Sequence, residues 1–270
     1  MEKQIDSEAP PFGKLIHLIE KLRGEGGCPW DRKQTPQSLA VYLIEEAHEL
    51  VEAIRSEDAE AVCEELGDVM FLLFFLAAIY KENGEFDVLK AVSKNVVKMR
   101  NRHPHVFGNA TVDSAEDVSR NWSRIKAAEK PDRGDGSLLD AIPKTLPALM
   151  RAYRVSSRAA RTGFDWNDLE GVMSQAEEEW RELKAELEKD ADGFNRENVA
   201  LEFGDVLFTL TNVARFAGIH PDTALDASIR KFERRFHHME RHAFKMEQKF
   251  EDLEYDDMHE LWERAKRVKT

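Results

Sequence analysis

Glu45-Glu46-Ala47-His48-Glu49, followed by Glu65-Leu66-Gly67-Asp68, is the stretch that decides how this chain folds. Carboxylates three or four residues apart share one face of an α-helix. The apolar residues around them keep the same period: Leu39, Leu43, Ala47, Leu50 and Ile54, then an unbroken apolar run over residues 69–80. At twelve residues that run is too short to cross a bilayer and reads as a buried core helix. Thr35 before Pro36 supplies an N-cap with proline at the first helical position. Two such helices side by side would converge about four carboxylates, a hard-oxygen site suited to a divalent cation.

The second half of the chain rewrites the first. Glu178-Glu179-Trp180-Arg181-Glu182 is followed by Glu202-Phe203-Gly204-Asp205. Glu179 and Glu182 stand 133 residues after Glu46 and Glu49, while Glu202 and Asp205 stand 137 after Glu65 and Asp68. Lys231 and Arg235 stand 133 after Lys98 and Arg102, and Trp262 parallels Trp122. Residues 161–166 take the place of the loop around Trp30. Nearly constant offsets mean a duplicated domain, with a period far longer than that of a solenoid. The expected organisation is a first helical domain over 1–128, a polar, glycine-containing linker over 129–137, and a second helical domain over 138–270.

Within the first half, helices are expected over 12–23, from Pro36 to a turn at 56–58, and onward to Gly84. Another runs from about 87 to 102, where Pro104 closes it, and a last one around Trp122 is capped by Asp113 or Ser114. Residues 28–35 and 104–113 read as loops. No stretch alternates as a strand would, so the expected class is all-α, two tandem duplicated helical bundles.

Composition limits the partners. A chain of 270 residues can bury two cores. The net charge of −13 argues against a general nucleic-acid or anionic-membrane surface. It leaves room for a nucleotide, because a few local cations and a metal reverse the field at one site. The charged N-terminus lacks the apolar segment of a signal peptide, and Cys28 and Cys63 make neither a disulfide framework nor a zinc spacing. The cytoplasm is the expected compartment.

An isolated Glu-Glu-x-x-Glu on a helix is ordinarily solvated surface. Here Asp68 and Asp205 directly precede strongly apolar stretches, so their helices are expected to be largely buried. Aspartate in mid-helix also carries a small intrinsic cost. The same acids recur where their neighbours differ, Ala47-His48 against Trp180-Arg181. Facing carboxylates repel unless a cation sits between them. Glu45-x-x-His48 also fits the Glu-x-x-His unit of di-iron bundles. The counterpart of His48 is Arg181, however, and neither Glu65 nor Glu202 is followed three residues on by histidine. An oxygen-only set fits Mg²⁺ or Mn²⁺ better, leaving His48 on the surface or behind the ligands.

Lys98 with Arg102, and Lys231 with Arg235, are i, i+4 pairs that project from one helix face. Beside a metal cluster they gain a role as contacts for phosphate oxygens. Trp122 and Trp262 either stack on a base or pack their helices onto the bundle.

At these residues the sequence resembles the MazG family of nucleoside triphosphate pyrophosphohydrolases, within the all-α nucleotide pyrophosphatase superfamily. Its Glu-Glu-x-x-Glu then Glu-x-x-Asp pattern is met twice, and the likeness extends to residues 27–31, 102–107, 147–152 and 231–236. The resemblance implies a homodimer of helical bundles that hydrolyses a nucleoside triphosphate between the α- and β-phosphates and clears abnormal nucleotides. It implies Mg²⁺ ligands at Glu46, Glu49, Glu65 and Asp68, and again at Glu179, Glu182, Glu202 and Asp205. Lys231, Arg235 and Trp262 would hold the nucleotide, with Lys98, Arg102 and Trp122 as their first-repeat counterparts. The first acid of each cluster, Glu45 or Glu178, is expected to orient or deprotonate the attacking water. Which repeat works is open. So is a rival reading, a nucleotide-sensing or partner-binding scaffold in which one or both repeats bind without turnover.

Overall fold

The computed structural model describes residues 10–129, 136–189 and 195–267. Helices are the only regular structure among them, with no strand, as an all-α chain requires. The chain divides into two compact units, 1–131 and 132–270. Most of the expected linker, 130–135, lies outside the described residues.

The first unit contains α1 (Pro11–Arg23), α2 (Pro29–Arg32), α3 (Pro36–Ser56), α4 (Ala59–Glu82), α5 (Val88–Arg102), α6 (Pro104–Phe107) and α7 (Ala115–Ala128). Thr35 caps α3 by accepting from the Ser38 N–H. The chain reverses through Glu57, whose φ of 59° is left-handed, and Asp58 caps α4 by accepting from the N–H groups of Glu60 and Ala61. So short a turn makes α3 and α4 antiparallel neighbours, and theirs is the most extensive helix contact of the unit. It also sets the register of the acids. Glu49 and Glu65 lie eight residues either side of Glu57, and Glu46 and Asp68 lie eleven either side. Each pair therefore sits at one height.

α1 packs across α4 and closes a core of Ile19, Leu39, Phe75 and Ile79. Arg23 pins this corner: it forks onto Glu82 at 2.7 and 2.6 Å, donates to the Asp31 carbonyl at 2.6 Å and covers the Phe75 ring. Gly27 is required here, since a Cβ would stand 2.3 Å from the Leu22 carbonyl oxygen.

Two expectations need correction. The segments 28–35 and 104–113 are not simply loops, because Pro29 and Pro104 each open one helical turn; proline presets φ for a first turn. Of the two caps expected for α7, Ser114 is the one that acts, its Oγ accepting from the Asp117 N–H at 3.1 Å. The apolar run 69–80 is not buried throughout: Leu73 is exposed and most of the others are half-buried. Phe75, Ala77 and Ile79 are inside, whereas Leu73 is 47% exposed because α1 and α3 cover only part of the helix circumference. On α5 no residue is buried, and Leu89, Val92, Val96 and Val97 stay exposed.

The second unit repeats the plan with α8 (Ala148–Ala160), α9 (Leu169–Leu187), α10 (Arg196–Phe216), α11 (Pro221–Lys245) and α12 (Tyr255–Arg267), plus 3₁₀ turns at Leu138–Ala141 and Phe250–Asp252. Asp168 caps α9 and Asn195 caps α10. α9 and α10 form the principal pair and α8 packs on α10. α12 folds back on α11 through Met239, Leu261 and Ala265, with Trp262 and Phe250 at the margin. α10 is less buried than expected, with Leu207, Phe208 and Leu210 exposed. Among the described residues no helix is long and apolar enough to cross a membrane.

Candidate active site

In the first unit, one carboxylate oxygen from each of Glu46, Glu49 and Glu65 lies within 4.8 Å of the others. Asp68 stands outside this trio, but its charge reaches both Glu46 and Glu65. In the second unit the trio is Glu179, Glu202 and Asp205. Glu182 stands outside it and presses electrostatically on Glu202. The register explains the likeness of the units. Glu182 and Glu202, like Glu179 and Asp205, are equidistant from position 192, as the first four acids are from Glu57. Glu45 and Glu178 are exposed and belong to neither trio, and the exposed His48 is likewise absent from both. Gln175 donates to Glu179 Oε1 at 2.8 Å, fixing that carboxylate from one turn away.

Partial desolvation, followed by repulsion from the facing acids, holds Glu46, Glu65 and Glu202 above the ordinary glutamate pKa. For Glu46 and Glu65 the strongest repulsion comes from Glu49, and for Glu202 it comes from Glu182. Three converging oxygens with no nitrogen or sulfur donor, and repulsion still uncompensated, fit a hard divalent cation such as Mg²⁺.

A consequence for stability follows. A carboxyl with a raised folded pKa binds its proton more tightly in the native state than in the unfolded chain. Its contribution is full below the unfolded value and is lost as pH rises through the folded value. In EDTA the melting temperature should therefore fall as pH climbs past the ordinary glutamate value of 4.5, and Mg²⁺ should restore it most at the upper end. Glu65→Gln with Glu202→Gln should flatten the slope. An unchanged slope in that double variant would rule out the acid clusters as its source.

The cations differ between units. Arg102 lies over Trp122 at 5.0 Å and is bound to Glu129 through Nε at 2.9 Å and Nη2 at 2.5 Å, with its side chain only 11% exposed. That ion pair holds Glu129 below the usual carboxylate range. Arg235 lies over Trp262 at 5.5 Å, and Trp262 also meets Phe232. Among the described residues neither Arg235 nor Lys231 has an ion-pair partner. Seven residues beyond Trp122 comes Glu129, whereas seven beyond Trp262 comes Lys269. Both indoles therefore carry an arginine on one face, and Trp262 packs its helix as well.

Two cavities were not anticipated, and the first of them adjoins the acids. One, of about 180 Å³, is lined by Trp30, Tyr42, Phe71 and Phe75 together with Glu46 and Asp68. The other, of about 350 Å³ in the second unit, is lined by Phe164, Asp165, Trp166, Phe208, Asn212 and Arg215. The signal for the second was present in the sequence: an asparagine inside an apolar helix run, at the position where the first repeat has Phe75.

These features define a class: a duplicated α-helical protein whose units each place a carboxylate trio across one helix pair. A family model described as the MazG nucleotide pyrophosphohydrolase domain matches residues 34–107 and 168–240, covering both helix pairs. The chain belongs to the MazG family. It is 40% identical to the nucleoside triphosphate pyrophosphohydrolase/pyrophosphatase MazG of Thermotoga maritima, over 94% of this chain and 95% of that protein. It is 36% identical to the nucleoside triphosphate pyrophosphohydrolase of Escherichia coli K12, over 94% and 96%. It is 43% identical to the uncharacterized protein YabN of Bacillus subtilis, over 94% of this chain and 51% of that protein.

Proposed function

We propose that this chain is a Mg²⁺-dependent nucleoside triphosphate pyrophosphohydrolase, with Mn²⁺ as a possible substitute, acting in nucleotide-pool housekeeping in the cytoplasm. The observation that carries the reading is the pair of carboxylate trios, each facing across the joined helices of a family domain. In the reaction, water adds to the α-phosphorus and the bond from that phosphorus to the α–β bridging oxygen breaks. The products are a nucleoside monophosphate and pyrophosphate.

Glu179, Glu202 and Asp205, with Glu182 beside them, would hold the cation in the second unit, and Glu46, Glu49 and Glu65, with Asp68, in the first. When bound, the cation supplies charge neutralisation and polarisation of phosphoryl oxygens. Lys231 and Arg235 neutralise charge on the departing pyrophosphate. Glu178, and Glu45 in the first unit, serve to orient or deprotonate the water; Glu178→Gln tests that role.

One feature favours the second unit as the working one. Among the described residues its Arg235 has no glutamate bound to it, whereas Arg102 is paired with Glu129; Lys98 and Lys231 are both exposed. The exposed aliphatic face of α5 supports a homodimer, which a solution mass of one protomer, 31.0 kDa, would disprove.

The test of function is a nucleotide panel assayed with and without Mg²⁺, separating pyrophosphate from orthophosphate. Pyrophosphate is expected. Orthophosphate would overturn the bond assignment, and metal-dependent binding without release would favour the sensing scaffold.

A further inference from the structure

Between Asp140 and Asp165 the chain carries no acid, although it holds 52 acidic residues in all. The cations of that interval are Lys144, Arg151, Arg154, Arg158 and Arg161. One other acid-free interval is as long, from Asp87 to Asp113, and it contains Lys98 and Arg102, the phosphate contacts expected of the first unit. On α8 and its C-cap residue Arg161, the four arginines stand at i, i+3, i+7 and i+10. They form a single row about 15 Å long. Ser157 borders the row, three residues after Arg154 and four before Arg161. Arg151, Arg154 and Arg161 are exposed and Arg158 is half-buried. The other side of the helix packs on α10 through the buried Ser156, whose hydroxyl donates to Asn212. Among the described residues none of the four guanidinium groups, nor the Ser157 hydroxyl, has a hydrogen bond, ion pair or ring contact.

The helix itself does not call for this row. Like charges three and four residues apart repel, and Arg151 lies in the first turn of α8, where the helix dipole disfavours a cation. In the first unit α1 packs on α4 as α8 packs on α10. At the matching positions α1 carries only Lys14, His17, Lys21 and Gly24, with Glu20 among them. The four arginines answer to something other than the fold.

A charged row on a convex helix face suits an extended anion, since small molecules are held in concave sites. A protein partner is anchored by buried apolar side chains, and between Leu139 and Phe164 no large apolar side chain is exposed. A lipid surface is wide, and a chain of net charge −13 would press its own acids against it. A single nucleic-acid strand is narrow and is bound through its backbone phosphates by charge alone. The planar arginine fork meets two phosphate oxygens at once. The overall negative charge speaks against a general nucleic-acid surface, not against one row from which acids are absent.

We propose that the exposed face of α8 binds single-stranded RNA. Arg151, Arg154, Arg158 and Arg161 hold backbone phosphates, and Ser157 meets a ribose 2′-hydroxyl, the group that separates RNA from DNA. The binding is independent of base sequence, and it does not rest on the hydrolase reading.

The test is fluorescence anisotropy with the full chain and a labelled oligouridylate, in EDTA so that no cation joins phosphate to the carboxylate trios. Four contacts on a single strand give a slope of log K against log salt of about −2.8, at roughly −0.7 per contact. Replacing Arg151, Arg154 and Arg161 together with glutamine should cut the slope to about −0.7. The melting curve should stay in place, because these exposed side chains hold nothing in the fold. Ser157→Ala should weaken RNA binding about three- to tenfold and bring it level with a deoxyuridylate strand.

No binding at about 50 mM salt, or binding that survives the triple replacement, overturns the assignment. Equal affinity of the unsubstituted chain for the deoxyuridylate strand overturns the choice of RNA. Polyglutamate or phosphatidylserine vesicles bound as tightly as the oligouridylate would overturn it too, giving the row to an acidic protein or to a membrane. RNA binding by a chain that releases no pyrophosphate sustains this surface and overturns only the hydrolase reading.

Discussion

Replacing Glu65 and Glu202 together with alanine should abolish pyrophosphate release. Each belongs to a trio within 4.8 Å, and each is raised in pKa by desolvation and by the acids across the helix pair. A bound cation contributes several kcal/mol of transition-state stabilisation, so its loss corresponds to a rate factor above about 10². The change should not act through unfolding. Both side chains are only half-buried, neither makes an ion pair among the described residues, and alanine raises helix propensity. An unchanged urea midpoint would establish that point. The single variants divide the work: Glu202→Ala should account for nearly all of the loss and Glu65→Ala for little of it, if the second unit does the chemistry. Substantial pyrophosphate release by the double variant would eliminate both proposed metal sites.

The helix pair and its acids were legible because they depend on local rules. Thr35 before Pro36, the period of the apolar residues and the i, i+3 and i, i+4 spacing each act within one or two turns. A two-residue turn then fixes the height at which Glu49 meets Glu65. What escaped the sequence depends on contacts between distant segments. The Asp165–Arg215 ion pair spans fifty residues, and the bonds from Arg23 to Glu82 span fifty-nine. No periodicity encodes such pairings. The degree of burial was also overestimated: the apolar run over 69–80 fixes helix and hydrophobicity, but how much of it is covered depends on how many neighbours reach it. Asn212 lies between these cases, its position fixed by the repeat and its partners revealed only by the fold.

Arg235→Ala should lower kcat/KM about ten- to a hundredfold, while Arg102→Ala changes it by less than about threefold. A charge-assisted hydrogen bond is worth about 1.5–3 kcal/mol, which sets the first figure. The contrast comes from what already binds each guanidinium. Arg102 gives two N–H groups to Glu129 and is largely enclosed between that carboxylate and Trp122, so a phosphate would have to displace an existing anion. Arg235 keeps the indole contact without such an anion among the described residues, and Lys231 adds a second cation one turn away. Glu129→Ala separates this account from the alternative that the first unit simply lacks a productive site. With Glu202→Ala silencing the second unit, removing Glu129 should tighten nucleotide binding at the first, because Arg102 is then free to meet phosphate. Equal losses from Arg102→Ala and Arg235→Ala would mean that the glutamate does not sequester its arginine. The asymmetry between the units would then have to come from the acids or the two cavities.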